Sequence, residues 1–182
     1  RISLSSSGFF KTSKIDINTE TLKGRPFLYF TYGAAVSEVI VDTLTGENKL
    51  LQVDIIHDVG NSINKRIDKG QIEGGFIQGL GWLTTEEISW GKNGNILTHS
   101  PSTYKIPTAG ETPFKLNVEI YKNGYNKEEV VNRSKAVGEP PFMLAISSFT
   151  ALKDAVYNAN KNKDSVNLVA PATPENILKS IY

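Results

Sequence analysis

The sequence contains no cysteine and only two histidines, His57 and His99. Without cysteine the chain has no disulfide, no thiolate ligand for zinc or an iron-sulfur cluster, and no cysteine nucleophile. Two histidines are too few for a histidine-based metal cluster. We therefore predict that no side chain of this protein ligates a metal.

The sequence also lacks an excess of charge of one sign and a long apolar run. Lys and Arg number 20 and Asp and Glu 19, so the net charge of +1 gives no electrostatic reason to expect nucleic acid or an anionic membrane as partner. No apolar run approaches the ~20 residues of a membrane-spanning helix, and no signal-peptide pattern opens the chain. We expect a cytoplasmic protein. Because the first residue is Arg1, we expect a processed product or a piece of a longer protein.

A β-hairpin over residues 36–58 is the firmest structural prediction. Aromatic and β-branched residues from Phe27 onwards favour a strand, with Gly33 as a bend or bulge. Gly46 in the following turn is suited to a positive φ. In the second strand, alternation places four residues on one face: Leu51, Val53, Ile55 and His57. We interpret His57 as a core residue, since a lone histidine without partners rarely forms a site.

The remaining periodicities alternate between helix and strand. They predict a helix through Ile72, Phe76, Leu80 and Leu83, a strand over 86–90, and a strand with Phe114, Leu116, Val118 and Ile120 inward. A helix from residue 145, a polar break over 158–165 and a C-terminal helix capped by Thr173 follow. The order β, β, α, β, β, α predicts one α+β domain over residues 1–182, a two-layer domain with helices packed on a mixed or antiparallel sheet.

Residues 134–149, SKAVGEPPFMLAISSF, place one carboxylate between a glycine and two prolines. Pro140 and Pro141 restrict φ and disfavour the α region for the preceding residue, so Glu139 is expected to be rigidly held. A nearby helix N-terminus would lower its pKa, whereas burial beside apolar neighbours would raise it. Two interpretations stay open: Glu139 begins a helix as a capping residue, or it is a carboxylate aimed at a ligand.

The segment GQIEGGFIQGLG contains four glycines inside a helical pattern: Gly74, Gly75, Gly79 and Gly81. Together they weaken the helix by roughly 2 to 4 kcal/mol against alanine, so a close approach by another backbone or by a ligand must require them. Packing is the better explanation for most of them. Gln71, expected at the helix start, is a candidate ligand contact. The spacing matches neither a dinucleotide fingerprint nor a P-loop.

Six motifs resemble, in the same order, the C-terminal part of the molybdenum-binding portion of the xanthine dehydrogenase and aldehyde oxidase family. They are FTYGAAVSEVIVDTLTGE, DVGNSIN, GQIEGGFIQGLG, PSTYKIP, SKAVGEPPF and PATPENI. The likeness runs from near Ile2 to the C-terminus, and it is greatest to the purine-oxidising members. The chain is therefore identified as similar to a fragment or subunit of a larger molybdenum hydroxylase.

The resemblance implies roles for two residues. Glu139 matches the family's general base, which removes a proton from an oxygen ligand of molybdenum, and Gln71 matches a residue that hydrogen-bonds the ligands of the molybdenum centre. Molybdopterin would hold the metal. Iron-sulfur clusters, FAD and NAD would be bound by other domains or subunits, and the upstream molybdopterin-binding portion would be the chief partner.

The expected reaction is oxidation of xanthine or hypoxanthine to urate. Two alternatives remain: a related hydroxylase acting on aldehydes or other N-heterocycles, and a noncatalytic structural module of the same fold. Since the family's substrate-orienting residues lie upstream of Arg1, we expect the chain alone to be inactive and its surface near Gln71 and Glu139 to contact the missing portion.

Overall fold

The structure, a computed structural model, describes residues 2–160 and 166–182. Of the polar break predicted over 158–165, residues 161–165 lie outside the described part. A mixed sheet has the order β3 (Gly33–Val41), β4 (Asn48–His57), β5 (Lys115–Ile120), with β3 antiparallel and β5 parallel to the central β4. Two short exposed strands, β1 (Asp16–Asn18) and β2 (Lys23–Arg25), form a separate hairpin.

Helices pack against this sheet, which confirms the predicted α+β class. They are α1 (Lys65–Thr84), α2 (Ile146–Ala159) and α3 (Pro174–Ile181), with short 3₁₀ helices at Ala109–Glu111, Val131–Arg133 and Pro140–Ala145. The Thr173 hydroxyl accepts a hydrogen bond from the Asn176 N–H, which confirms the predicted cap of α3. No helix in the described part of the chain is long and apolar enough to cross a membrane.

The hairpin of β3 and β4 is confirmed, with one change in its alternation. Its turn is closed by the Asp42 carboxylate, which accepts from the Leu44 N–H at 2.7 Å, and Gly46 has a φ of +77°. The register shifts between Glu38 and Val39, so that Leu51 is an extra residue in β4. Because a bulge reverses the faces beyond it, Leu50 is buried at this end of the strand and the prediction for Leu51 was wrong.

Helix α1 begins earlier than its apolar pattern suggested. The Asn64 side chain accepts hydrogen bonds from the Arg66 and Ile67 N–H groups, and the helix starts at Lys65. Gln71 therefore lies inside the helix, and the prediction that it occupies the N-terminus was wrong. The predicted buried face is confirmed, since Ile72, Phe76, Leu80 and Leu83 all belong to the core.

Three segments predicted to be strands, or parts of strands, have no strand structure. Residues 86–90 form no strand and contribute only an isolated bridge between Trp90 and Ile96. Residues 27–32 are irregular, and Gly33, predicted as a bend, is the first residue of β3. Phe114 precedes β5 and is exposed beneath the Lys49 ammonium, which lies 4.5 Å from the ring centroid.

The interior consists of two apolar clusters joined through Val39 and Phe149. The first lies between the sheet and α1 and includes Leu50, Val53, Ile55, Ile72, Phe76, Leu80 and Ala145. The second joins α2 to the C-terminal segment and includes Leu152, Val156, Leu168, Ala172, Ile177 and Ile181. The 3₁₀ helix Pro140–Ala145 thus lies on the core immediately after Glu139.

Candidate functional site

Glu139 is the last residue before the 3₁₀ helix Pro140–Ala145, which continues into α2. Its backbone has φ −103° and ψ −36°, inside the α region that Pro140 was expected to disfavour, so this expectation was wrong. The Glu139 carbonyl accepts from the Phe142 N–H at 2.9 Å and closes the first turn of the helix. That hydrogen bond and the tight turn compensate for a conformation that proline only disfavours.

The Glu139 side chain is exposed and makes no capping hydrogen bond to the helix that it precedes. Glu139 thus occupies the helix-start position of the capping interpretation, but its carboxylate does not cap the helix. The sequence left open whether apolar neighbours bury this residue, and in the structure Glu139 lies at the surface. Within the described chain it is held by its backbone and has no hydrogen-bond partner of its own.

The carboxylate borders a cleft of about 990 Å³. One wall comes from the Glu139 segment and helix α1, including Gly138, Phe142 and Gln78; the other comes from residues 26–31. Phe27 and Phe30 pack edge to face in that second wall, with ring centroids 6.0 Å apart. The cleft thus combines one carboxylate and one amide with several aromatic rings.

The glycines of α1 allow the Glu139 segment to lie directly on the helix. A Cβ added to Gly75 would lie 2.8 Å from the Gly138 carbonyl oxygen, and one on Gly79 would collide with the Phe142 carbonyl. Gly81 packs equally closely against Pro107. The packing explanation is therefore confirmed for these three, whereas Gly74 has no described atom within 4 Å of its added Cβ.

Gln71 and Glu139 lie on either side of Gly138. A Cβ added to Gly138 would lie 3.2 Å from the Gln71 Oε1 atom, so the amide of Gln71 lies against the Glu139 segment at Gly138. Gln71 is exposed on α1 and lies inside the helix, away from its N-terminus. The two residues selected from the sequence are thus neighbours across one glycine.

His57 is a core residue, as predicted. It is 2% exposed at the end of β4, and its Nδ1 atom has no partner among the described residues. Burial lowers the pKa of His57 below its ordinary value, and the neighbouring Asp58 carboxylate opposes that shift only in part. His57 therefore stays neutral and packs against Gly33.

Three features of the site have little or no signal in the sequence. Gln78 follows Gln71 by seven residues and so lies on the same face of α1, a spacing that identifies it once the helix is known. The Tyr29 hydroxyl accepts a hydrogen bond from the Ala136 N–H at 3.0 Å, although the sequence pattern around Tyr29 predicts a strand. The buried pair of Asp58 and Lys135 joins residues far apart in the chain.

The donor groups suit a cofactor that brings its own metal ligands. Across residues 2–160 and 166–182, no three His, Cys, Asp or Glu side chains converge to hold a metal ion. Gly70 and Gly74 leave open space on α1 beside Gln71, and Gly138 keeps the amide accessible. The surface beside Gln71 thus offers an amide and open space on α1.

Comparison with known proteins identifies the class. Residues 1–113 match the model of the molybdopterin cofactor-binding domain, and the chain belongs to this family. Molybdopterin is thus the cofactor of the family, as the sequence predicted.

The curated relatives that the chain matches along nearly its whole length are xanthine dehydrogenases. Xanthine dehydrogenase/oxidase of Felis catus is 48% identical over 182 residues, which cover 97% of this chain and 14% of the relative. Xanthine dehydrogenase 2 of Arabidopsis thaliana is 46% identical over 192 residues, with coverage of 100% and 14%. The chain therefore spans about one seventh of the length of these relatives.

The fold also matches a solved CO dehydrogenase. Reconstituted CO dehydrogenase from Oligotropha carboxidovorans superposes with a TM-score of 0.71 at 25% identity, covering 82% of this chain and 18% of that one. The resemblance stated from the motifs is therefore confirmed.

Proposed function

We propose that this chain is the C-terminal molybdenum-cofactor-binding domain, residues 1–182, of a xanthine dehydrogenase-type hydroxylase, and that Glu139 is its general base. The observation that carries the proposal is the state of the Glu139 carboxylate. It is exposed on an aromatic-lined cleft, makes no capping bond, and is mounted on a backbone that packs against helix α1. A general base needs this combination of fixed position and access to its proton donor.

In the proposed reaction, a carboxylate oxygen of Glu139 accepts a proton as the substrate carbon is hydroxylated. Molybdenum held by molybdopterin supplies the two-electron redox chemistry when it is bound. Gln71 would hold the cofactor through its side-chain amide, which both donates and accepts hydrogen bonds. The packing of Gly138 on α1 holds the Glu139 segment against the helix that carries Gln71.

Xanthine or hypoxanthine, oxidised to urate, is the proposed substrate. The names of the curated relatives support a purine, and the rings of Phe27, Phe30 and Phe142 in the cleft suit a flat heterocycle, since aromatic groups stack or meet edge to face. A related hydroxylase acting on aldehydes or other N-heterocycles is the alternative, and substrate profiling of the assembled enzyme separates the two.

The rest of the active site would come from the upstream molybdopterin-binding portion, and the iron-sulfur clusters, FAD and NAD from other domains or subunits. The length of the relatives supports this division. We expect the isolated chain to be inactive. The cytoplasmic location expected from the sequence stays a prediction.

The test compares wild type with Glu139→Gln in the assembled, cofactor-loaded enzyme. Xanthine-dependent reduction of molybdenum is expected to slow by about 10² to 10⁴, the usual effect of losing a general base, with molybdenum content unchanged. Glu38→Gln, an exposed carboxylate on β3, is the matched control and should react like wild type. If Glu139→Gln also reacts like wild type, the domain is a noncatalytic module or the base lies elsewhere.

A further inference from the structure

A buried ion pair joins Lys135, four residues before Glu139, to Asp58. The Lys135 ammonium donates to the Asp58 Oδ2 atom at 2.5 Å, and the two side chains are only 6% and 10% exposed. Asp58 also accepts from the Gly60 N–H at 2.8 Å, and the Lys135 ammonium lies 5.1 Å from the centre of the Tyr32 ring. Because each charge would be costly to bury alone, removing either partner should loosen whatever the pair connects.

The pair connects two loops whose backbones are also hydrogen-bonded to each other. The Lys135 N–H donates to the Val59 carbonyl at 2.8 Å, and the Asn61 N–H donates to the Arg133 carbonyl at 3.1 Å. An isolated antiparallel bridge pairs Gly60 with Ser134. Residues 133–135 are thus fixed on residues 58–61 by main-chain bonds and by a charge pair.

The first loop leads directly to the helix that carries Gln71. It connects the end of β4 to Asn64, the residue that caps α1. The position of this loop in space therefore determines the position of the first turn of α1.

The second loop leads directly to Glu139. Between Lys135 and Glu139, the Ala136 N–H donates to the Tyr29 hydroxyl, and beyond Glu139 the backbone rests on Gly75 and Gly79 of α1. The main chain on both sides of Glu139 thus rests on α1, with Gly138 on Gly75 and Phe142 on Gly79, and the ion pair fixes the segment farther upstream, at Lys135. The backbone around Arg133 supports this picture, because Asn132 and Arg133 both have positive φ, a conformation that non-glycine residues keep only when their surroundings impose it.

We propose that the Lys135–Asp58 ion pair is a positioning device that holds the Glu139 segment in register with helix α1, so that the base and Gln71 face the same cofactor. Both are positioning residues in this proposal, and neither lines the cleft that Glu139 borders. The inference rests on the proposed function of Glu139 for its effect on turnover. Its structural part stands on the geometry alone.

Hydrogen exchange of the assembled, cofactor-loaded enzyme tests the structural part. In Lys135→Met and in Asp58→Asn, which keeps an acceptor for the Gly60 N–H, amides of residues 134–138 should exchange at least about tenfold faster, as expected for a local opening. Amides of Leu152 and Val156 in α2 should keep their protection. Lys179→Met, which removes an exposed pair with Glu175, is the matched control and should change neither region.

Steady-state kinetics of the same variants tests the positioning part. Each single variant should lower kcat by up to about 10²-fold, the effect of a small misplacement of a reacting group, with KM little changed. Because the two residues act as one pair, the double variant should be no slower than the slower single variant.

The outcomes separate this inference from the proposed function. Faster amide exchange confined to residues 134–138, together with a lowered kcat, supports the inference. Unchanged exchange at 134–138, exchange that rises equally in α2, or multiplicative losses in the double variant would overturn it. If local exchange appears while Glu139→Gln is fully active, the general-base proposal fails and the positioning of the segment stands. If local exchange appears while kcat is unchanged and Glu139→Gln is inactive, the positioning role is wrong and the general base stands.

Discussion

His57 shows at the scale of one residue how burial sets the charge of a side chain. Its ring is enclosed at the end of β4, and the charged groups that act on it are Asp58, which favours the protonated form, and Lys135, which disfavours it. Desolvation is the largest influence, and it lowers the pKa of His57. The folded protein therefore resists taking up this proton, whereas the unfolded chain does not.

We predict from this that acid weakens the fold through His57. The unfolded pKa is about 6.5 and the folded pKa is lower, so the stabilisation is complete above pH 6.5 and is lost as the pH falls from there towards the folded pKa. Urea unfolding of the chain should show a lower midpoint at pH 5.5 than at pH 7.5. In His57→Met this decrease should be smaller, while the exposed His99→Gln should behave as wild type; an equal decrease in His57→Met would assign the effect to other groups.

Helix α1 shows at the scale of an element why four glycines interrupt an apolar pattern. Gly75, Gly79 and Gly81 lie where neighbouring main-chain or proline atoms approach, and Gly74 faces open space in the described structure. Glycine therefore meets opposite surroundings at the adjacent positions 74 and 75. Substitution by alanine separates the two cases.

We predict that Gly74→Ala stabilises the isolated chain by about 0.5 to 1 kcal/mol, since alanine is the better helix former and meets no neighbour. Gly79→Ala should destabilise it by about 1 to 3 kcal/mol, because the new Cβ collides with the Phe142 carbonyl and overpacks the contact. Urea midpoints of the two variants measure both effects. Shifts of the same sign would show that the glycines do not differ in packing.

The elements themselves were predictable wherever periodicity was long and local. The apolar spacing of α1, the hairpin of β3 and β4, and the Thr173 cap all follow from neighbours in sequence. The start of α1 was missed because the cap, Asn64, lies in a polar stretch that precedes the first apolar residue. The strand expected over 86–90 was wrong because a strand needs a partner, which sequence periodicity does not supply.

At the scale of the whole molecule, the candidate site was predictable only in part. Glu139 and Gln71 lie in recognisable motifs, but only the folded structure shows that both are next to Gly138. Lys135 and Asp58 lie 77 residues apart, so no local pattern joins them. Long-range pairs of this kind are decided by tertiary packing.

The N-terminal hairpin of β1 and β2 is attached to the rest of the molecule by charge. Glu128 accepts from Lys14 at 2.7 Å and from Arg25 at 2.6 Å, and these hydrogen bonds lower the pKa of Glu128. Residues 26–31, which form one wall of the cleft, follow immediately. The cleft wall therefore depends on an exposed electrostatic contact.

We predict that Glu128→Gln releases this hairpin, so that trypsin cleaves after Lys23 a few-fold faster than in wild type. Because the folded pKa of Glu128 lies below its ordinary 4.5, the attachment is complete above pH 4.5 and is lost as the pH falls through the folded pKa. Glu129→Gln, next in sequence and 88% exposed, is the control and should be cleaved like wild type. Equal cleavage in all three proteins would show that Glu128 does not hold the hairpin.

The parallel pairing of β4 with β5 affects the order in which the chain folds during its synthesis. Residues 58–114 separate the two strands, and the segment that lies on Gly75 and Gly79 comes later still. During synthesis, the hairpin and α1 therefore leave the ribosome before the residues that cover the apolar face of the helix. The face of α1 that carries Gly75 and Gly79 stays uncovered until Pro140–Ala145 has emerged, and we expect the nascent chain to be most prone to aggregation in that interval.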